Sequence, residues 1–168
     1  MKLPLLLSLL VPAVLVSCRA SQVQGLDPIY PAQLSTGVYT DIDTLHPTFA
    51  WKAFPGDEDE ALYGVELVRL KNIRYDLVVY RATTEFEKVH ERLGLTETEH
   101  RIPFDLEPDT TYLWSVRTRF ELDGQTRVTP WSTLGPVNAS RSNPRRVATV
   151  PNPWLFRFET PRLGNVRR

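Results

Sequence analysis

Hydrophobic and polar side chains alternate with a period of two along much of the chain. The segments that show this pattern are residues 49–51, 75–80, 112–120 and 156–158. They are rich in aromatic and β-branched residues, which together with the alternation is typical of half-buried strands. Turn-forming pairs such as Pro108-Asp109 separate them. The pattern predicts an all-β protein.

The predicted strands carry a large apolar set on one face. Short strands at this spacing favour an antiparallel sandwich. Its expected core consists of Phe49, Trp51, Tyr75, Leu77, Val79, Tyr112, Trp114 and Val116. Burying such side chains stabilises a fold by ~1.5–3 kcal/mol each, so no disulfide is required.

Three local segments need separate interpretation. Asp123-Gly124 predicts a hairpin, because both residues tolerate the positive φ of a type I′ turn. Residues 64–70 are a candidate strand. In residues 85–95 the apolar positions also fit a helix, but a short strand or an irregular crossing is preferred.

Composition narrows the possible partners and cofactors. The 168 residues suit one domain, and 20 basic residues balance 20 acidic ones, so no bulk attraction to nucleic acid is expected. A single Cys excludes an internal disulfide, a cysteine zinc site and an iron–sulfur cluster.

The first residues have the features of a targeting signal. Lys2 precedes an apolar stretch over residues 3–16. That stretch is shorter than the about 20 residues of a membrane-spanning helix and has the length of a secretory h-region. Alternatives are a eukaryotic-type signal peptide with a Cys near its cleavage site by chance, and a buried N-terminal helix.

The end of this stretch, Leu15-Val16-Ser17-Cys18, resembles the lipobox of bacterial lipoproteins. The resemblance implies cleavage before Cys18, diacylglyceration of its thiol and acylation of the new amine. Because Arg19 rather than Asp follows Cys18, it also implies the outer membrane of a bacterial envelope. The expected division is a signal peptide (1–17), a lipidated N-terminus and tether (18–27), one domain (28–161) and a basic tail (162–168).

A second resemblance covers that domain. Residues 106–112, Leu-Glu-Pro-Asp-Thr-Thr-Tyr, resemble the L-x-P-x-T-x-Y corner of fibronectin type III domains. Segments similar to strands B, C, E, F and G of that family lie at residues 47–51, 75–80, 100–106, 112–117 and 156–161. The resemblance implies an immunoglobulin-like sandwich whose Tyr112 hydroxyl bonds to nearby backbone. Long insertions at 54–74 and between Trp131 and Trp154 depart from the family, and Trp131 could instead open the last strand.

Charge is unevenly distributed along the chain. Residues 141–168 hold seven Arg and one Glu, a net charge of +6, whereas residues 18–140 hold 12 basic and 19 acidic residues, a net charge of −7. The basic segment, including Arg145 and Arg146, could meet anionic lipid, peptidoglycan carboxylates or an acidic partner, or pair with the protein's own acids.

Candidate chemistry is sparse. The acidic run 57–60 lacks the spacing of a calcium loop, and His46, His90 and His100 lack zinc-ligand spacing. No nucleophile elbow, P-loop or Gly-rich dinucleotide motif occurs in the sequence. Asn138 begins a glycosylation sequon by pattern only. Neither catalysis, nor a metal, nor a cofactor is expected.

The predicted function is non-catalytic binding or scaffolding in the envelope, with the membrane reached through the lipid and an envelope protein as partner. Candidate contact residues are Trp131, Arg145, Arg146 and Trp154, because aromatic and Arg side chains dominate interface energetics. The alternative is an accessory glycan-binding domain or an envelope enzyme acting on glycans. In that case Trp131 and Trp154 would lie exposed and coplanar and stack on sugar rings.

Overall fold

The computed structural model describes residues 22–35, 38–56, 69–135 and 155–165. These residues form antiparallel strands and one short 3-10 helix (Leu163–Asn165), and no α-helix occurs among them. The strands are β1 (Gln22–Gln24), β2 (Pro28–Tyr30), β3 (Gln33–Ser35), β4 (Val38–Tyr39), β5 (Thr48–Trp51), β6 (Leu70–Arg81), β7 (Glu87–Leu95), β8 (Glu99–Arg101), β9 (Thr111–Leu122), β10 (Gln125–Val128), β11 (Thr133–Gly135) and β12 (Phe156–Glu159). The prediction of an all-β protein is confirmed.

The larger sheet has β9 at its centre. Strand β6 pairs with one edge of β9 along almost its whole length, and β7 pairs with the far side of β6. Two strands share the other edge of β9, with β10 on its C-terminal part and β12 on its N-terminal part. Between them, the N–H groups of Thr129 and Ser132 donate to β9 carbonyls, so the chain continues along this edge. Strand β12 confirms the strand predicted at 156–158.

A smaller sheet lies against the larger one. It has the order β2-β5-β8, with Phe49 of β5 opposite His100 of β8. Two further antiparallel pairs, β1 with β11 and β3 with β4, complete the strands of the described residues.

Aromatic rings fill the space between the two sheets. The ring centroid of Phe49 lies 5.0 Å from that of Trp114 and 5.5 Å from that of Phe158. The rings of Trp51 and Tyr75 are 5.6 Å apart. All eight residues predicted for the core are buried. The alternation therefore identified correctly which face of each strand points inward.

Tyr112 joins the end of one sheet to the loop before β9. Its ring is buried against Phe158, with centroids 5.5 Å apart, and its hydroxyl accepts a hydrogen bond of 3.0 Å from the backbone N–H of Glu107. Asp109, between the two partners, has φ 51°, a turn conformation that Asp adopts more readily than most residues. The predicted bond from Tyr112 to nearby backbone is confirmed.

We expect Tyr112→Phe to lower the free energy of unfolding by about 1 kcal/mol, because the Glu107 N–H loses its acceptor while the ring still fills its place. Urea unfolding of the variant and the wild type checks this value. Tyr80→Phe, on a half-buried tyrosine of β6, is the control. An equal loss in both variants would contradict the role assigned to the Tyr112 hydroxyl.

The structure also shows the conformation of the predicted hairpin and of residues 85–95, for which the sequence left a helix open. Asp123 and Gly124 have φ values of 53° and 74°, which confirms the predicted type I′-like hairpin. Residues 87–95 form strand β7 rather than a helix, because its backbone pairs with β6 over six residue pairs. Local spacing could not reveal that long-range pairing. Of the candidate strand 64–70, only residues 69 and 70 are described.

The folded part begins earlier than residue 28. Strand β1 and the buried Leu26 lie within the segment expected to be a tether, and the N–H of Leu26 donates to Ser132 Oγ at 2.7 Å. Gly25 has φ 89°, and a Cβ there would lie 2.7 Å from Ser132 Oγ. The sequence of this segment shows no hydrophobic periodicity, so the burial of Leu26 could not be predicted from spacing. The remainder of the expected tether lies outside the described residues.

Candidate functional site

Of the predicted site residues, Trp131 is described. Cys18, Arg145, Arg146 and Trp154 lie outside the described residues, as do the signal peptide, the acidic run 57–60 and Asn138. Trp131 is half-buried, and the guanidinium carbon of Arg117 lies 4.3 Å from the centre of its ring. Trp131 therefore contacts an Arg of β9. We call Asp76, Arg117, Arg119 and Trp131 the Arg–Trp site.

Asp76 is the centre of this site. Its side chain is 0% exposed. The carboxylate oxygen Oδ2 accepts hydrogen bonds from Arg117 Nε at 2.8 Å and from Arg119 Nε at 2.6 Å. Its other oxygen, Oδ1, accepts a bond of 3.2 Å from the Gly94 N–H of β7. A buried carboxylate needs such partners, because burying an unpaired charge is costly.

Strand register places these residues together. Asp76 of β6 lies directly opposite Arg117 of β9, and Arg119 follows two residues later on the same face. Tyr75 and Leu77, the neighbours of Asp76, point into the core. The Asp76 carboxylate therefore points to the outer face of the larger sheet.

The site is electropositive and partly open to solvent. Two guanidinium groups share one carboxylate, which leaves a net charge of +1. The side chains of Arg117 and Arg119 are 20% and 37% exposed. Each uses Nε to bind Asp76, and the structure gives their Nη groups no acceptor among the described residues. This arrangement can bind an anionic group from solvent.

The geometry bears on the sugar-stacking alternative. Arg117 covers one face of the Trp131 ring. A sugar ring stacks on an open ring face, so only the face of Trp131 opposite Arg117 could serve. Trp154, the other half of the expected platform, lies outside the described residues.

A histidine pair lies where the two sheets meet. His90 of β7 and His100 of β8 approach with 2.9 Å between their Nε2 atoms, and their rings are nearly parallel at 10°. Phe104 packs edge-on against His90. Burial lowers the pKa of both histidines below the ordinary 6.5. The charge of Arg92 lowers both pKa values further, and the His100 neighbour also lowers that of His90.

This pair predicts a loss of stability in acid. The histidines of the unfolded chain take up protons at a higher pH than those of the folded chain. The stability that the neutral pair contributes is therefore fully present above about pH 6.5 and is lost as the pH falls through the lowered pKa values. Between about pH 7.5 and about pH 5.5, we expect the free energy of unfolding to fall less in the double variant His90→Gln/His100→Gln than in the wild type. His46→Gln, at the surface beside Asp105, is the control. An unchanged fall in the double variant would contradict the prediction.

Sequence reasoning missed Asp76, Arg117 and Arg119. A usable signal was present, since Asp76 interrupts an otherwise apolar and aromatic strand, as an acid does when it has a buried partner. The partner could not be named, because the pairing of β6 with β9 joins residues 41 positions apart.

In the described ranges no three His, Cys, Asp or Glu side chains are grouped so that they could hold a metal ion. No helix within those ranges has the length and apolar character needed to cross a membrane. Comparisons of the chain with models of known families, with curated proteins and with solved structures gave no match.

Proposed function

We propose that this protein is a lipid-anchored binding module of the bacterial cell envelope, with one fibronectin type III-like sandwich and no catalytic activity. The observation that carries the binding role is the Arg–Trp site, where Arg and Trp side chains are held on an outer sheet face with donors open to solvent. These residue types dominate the energetics of protein interfaces.

Strand order supports the family proposal. Immunoglobulin-type sandwiches place strands A, B and E in one sheet and strands C, F and G in the other. The sheet β2-β5-β8 has the order of strands A, B and E. In the larger sheet, β6 and β9 correspond to strands C and F, and β10 and β12 both pair with β9 where strand G would lie. The bond between Tyr112 and Glu107 lies at the corner before the F-like strand, as expected for a tyrosine corner.

The membrane part of the proposal rests on sequence. Leu15-Val16-Ser17-Cys18 after an apolar stretch is the lipobox pattern. Several acyl chains at ~0.8 kcal/mol per buried CH₂ would hold the protein stably at a membrane. Arg19 favours the outer membrane.

Labelled palmitate tests the anchor. Wild-type protein expressed in a bacterium should carry the label and sediment with the membranes, whereas Cys18→Ala should carry none. Label that persists in Cys18→Ala, or its absence from the wild type, would reject the lipoprotein proposal.

Crosslinking of the lipidated protein in intact cells, followed by a pull-down, tests the binding role. Arg145→Ala/Arg146→Ala should weaken capture of the partner if the C-terminal arginines contribute. Arg117→Lys should weaken it if the Arg–Trp site contributes. If both Arg145→Ala/Arg146→Ala and Arg117→Lys captured the partner as the wild type does, the proposed contact surface would be contradicted.

A further inference from the structure

We infer that Arg117, Arg119 and Trp131 bind a single carboxylate of a protein partner, one that lies next to an apolar side chain. The inference rests on the proposed binding function and names the chemical group that the site recognises. The first observation that supports it is that the site has hydrogen-bond donors available for a ligand. The Nη groups of Arg117 and Arg119 have no acceptor among the described residues, and both side chains reach solvent.

These donors are held in place before any ligand arrives. Asp76 fixes both Nε atoms through one oxygen, and the Trp131 ring lies against the Arg117 guanidinium. Restricting two flexible side chains in advance lowers the entropy cost of binding. The planar fork of a guanidinium matches the two oxygens of a carboxylate.

Local charge favours a single carboxylate over a polyanion. The site itself carries +1, because two guanidinium groups share the Asp76 carboxylate. Arg74 of β6, opposite Arg119, and Glu121, which is held by Asn72 two residues beyond Arg119 on β9, add one charge of each sign. One carboxylate therefore neutralises the net charge of this group of residues, whereas a polyanion exceeds it.

An exposed apolar residue completes the surface. Val128 of β10 lies directly opposite Arg119 of β9, and it is 48% exposed. Opposite residues on neighbouring strands have Cβ atoms about 4.5–5.5 Å apart. The Arg119 side chain extends towards Asp76 of β6, so Val128 lies on the side of Arg119 away from Asp76, where it can contact the residue next to the bound carboxylate. The partner segment therefore combines an Asp or Glu with an adjacent apolar side chain.

The test uses the ¹⁵N-labelled full chain in a zwitterionic detergent, with NMR signals of the Trp indoles and Arg Nε–H groups as readout. The probe is the peptide acetyl-Ala-Leu-Asp-Leu-Ala-amide, and its Asn counterpart is the control ligand. We expect the Asp peptide to shift the signals of Trp131, Arg117 and Arg119, while the buried Trp51 and Trp114 indoles stay unchanged. Equal shifts with the Asn peptide would overturn the inference.

Arg119→Lys keeps a positive charge beside Asp76 but removes the outward fork. It should weaken the Asp peptide about tenfold, the loss expected for a hydrogen bond to a charged group. Arg127→Lys, on exposed β10, is the matched control and should bind as the wild type does. Equal binding by both variants would overturn the inference.

Two other ligands separate the remaining possibilities. Inorganic phosphate that binds more tightly than the Asp peptide would overturn the assignment to a carboxylate. Phosphatidylglycerol vesicles that shift these signals when the peptide does not would overturn the assignment to a protein partner. The palmitate and capture experiments do not depend on these titrations, so failure of this inference and failure of the proposed function are distinguishable.

Discussion

Trp114→Ala is expected to lower the free energy of unfolding by about 3–5 kcal/mol, the range for deleting a large buried aromatic side chain. Trp114 is fully buried at the centre of β9, with ring centroids 5.0 Å from Phe49 and 5.3 Å from Phe156. Its indole N–H also donates to the Pro31 carbonyl at 3.2 Å. The substitution removes contacts between both sheets at once. Domains are stable by about 5–15 kcal/mol, so the loss is a large part of the total.

Trp131→Ala is the matched control, because it deletes the same side chain from the outer face. Trp131 is half-buried and touches Arg117, so we expect a loss of about 1 kcal/mol from the cation–π contact and partial burial. Urea unfolding of both variants measures the difference. If Trp131→Ala destabilised the protein as much as Trp114→Ala, Trp131 would belong to the core and not to a binding surface.

Asp76→Ala is expected to have the second-largest effect, a loss of about 2–3 kcal/mol. Removing one partner of a buried ion pair costs roughly 3–5 kcal/mol, and the smaller value here reflects the partial exposure of both arginines, which water can solvate. Without the carboxylate, the two guanidinium groups repel each other and the Gly94 N–H loses its acceptor. The variant should also bind the Asp peptide more weakly, because nothing then orients Arg117 and Arg119.

Asp105→Ala provides the comparison for Asp76. Asp105 pairs with His46 at the surface, where both side chains are exposed, and such pairs contribute about 0–1 kcal/mol. Chemical denaturation at neutral pH should therefore separate the two variants clearly. Equal stability of Asp76→Ala and the wild type would show that the carboxylate does not hold the two arginines in the folded protein.

Local pattern was enough for the strands that build the core. The alternation around Phe49, Tyr75 and Tyr112 predicted three strands and their inward faces, because side chains of a strand point to opposite sides in turn. It fell short where local spacing carries little information. Residues 87–95 have an ambiguous pattern since most of their side chains are exposed, and β1 is short and polar. Pairing with β6 and with β11 makes these segments strands.

For the Arg–Trp site, too, the sequence indicated one residue and the structure revealed its partners. Sequence reasoning selected Trp131 as a contact residue because of its residue type. The Arg that the structure places on its ring is Arg117 of β9, which the sequence did not single out. Asp76 was not selected, because its position in an apolar strand indicates a buried partner but does not say which residue the partner is.

By itself, the sequence determined the all-β class, the inward faces of the main strands and the Asp123-Gly124 hairpin. Each depends on side-chain alternation or on the conformational preferences of neighbouring residues, which are local properties. The bond at Tyr112 was implied by the resemblance of residues 106–112 to a fibronectin type III corner. Only the tertiary structure decided that Asp76, Arg117 and Arg119 meet and that His90 touches His100. These contacts depend on strand register and on how the two sheets pack, which arise from the burial of the whole core and not from any one segment.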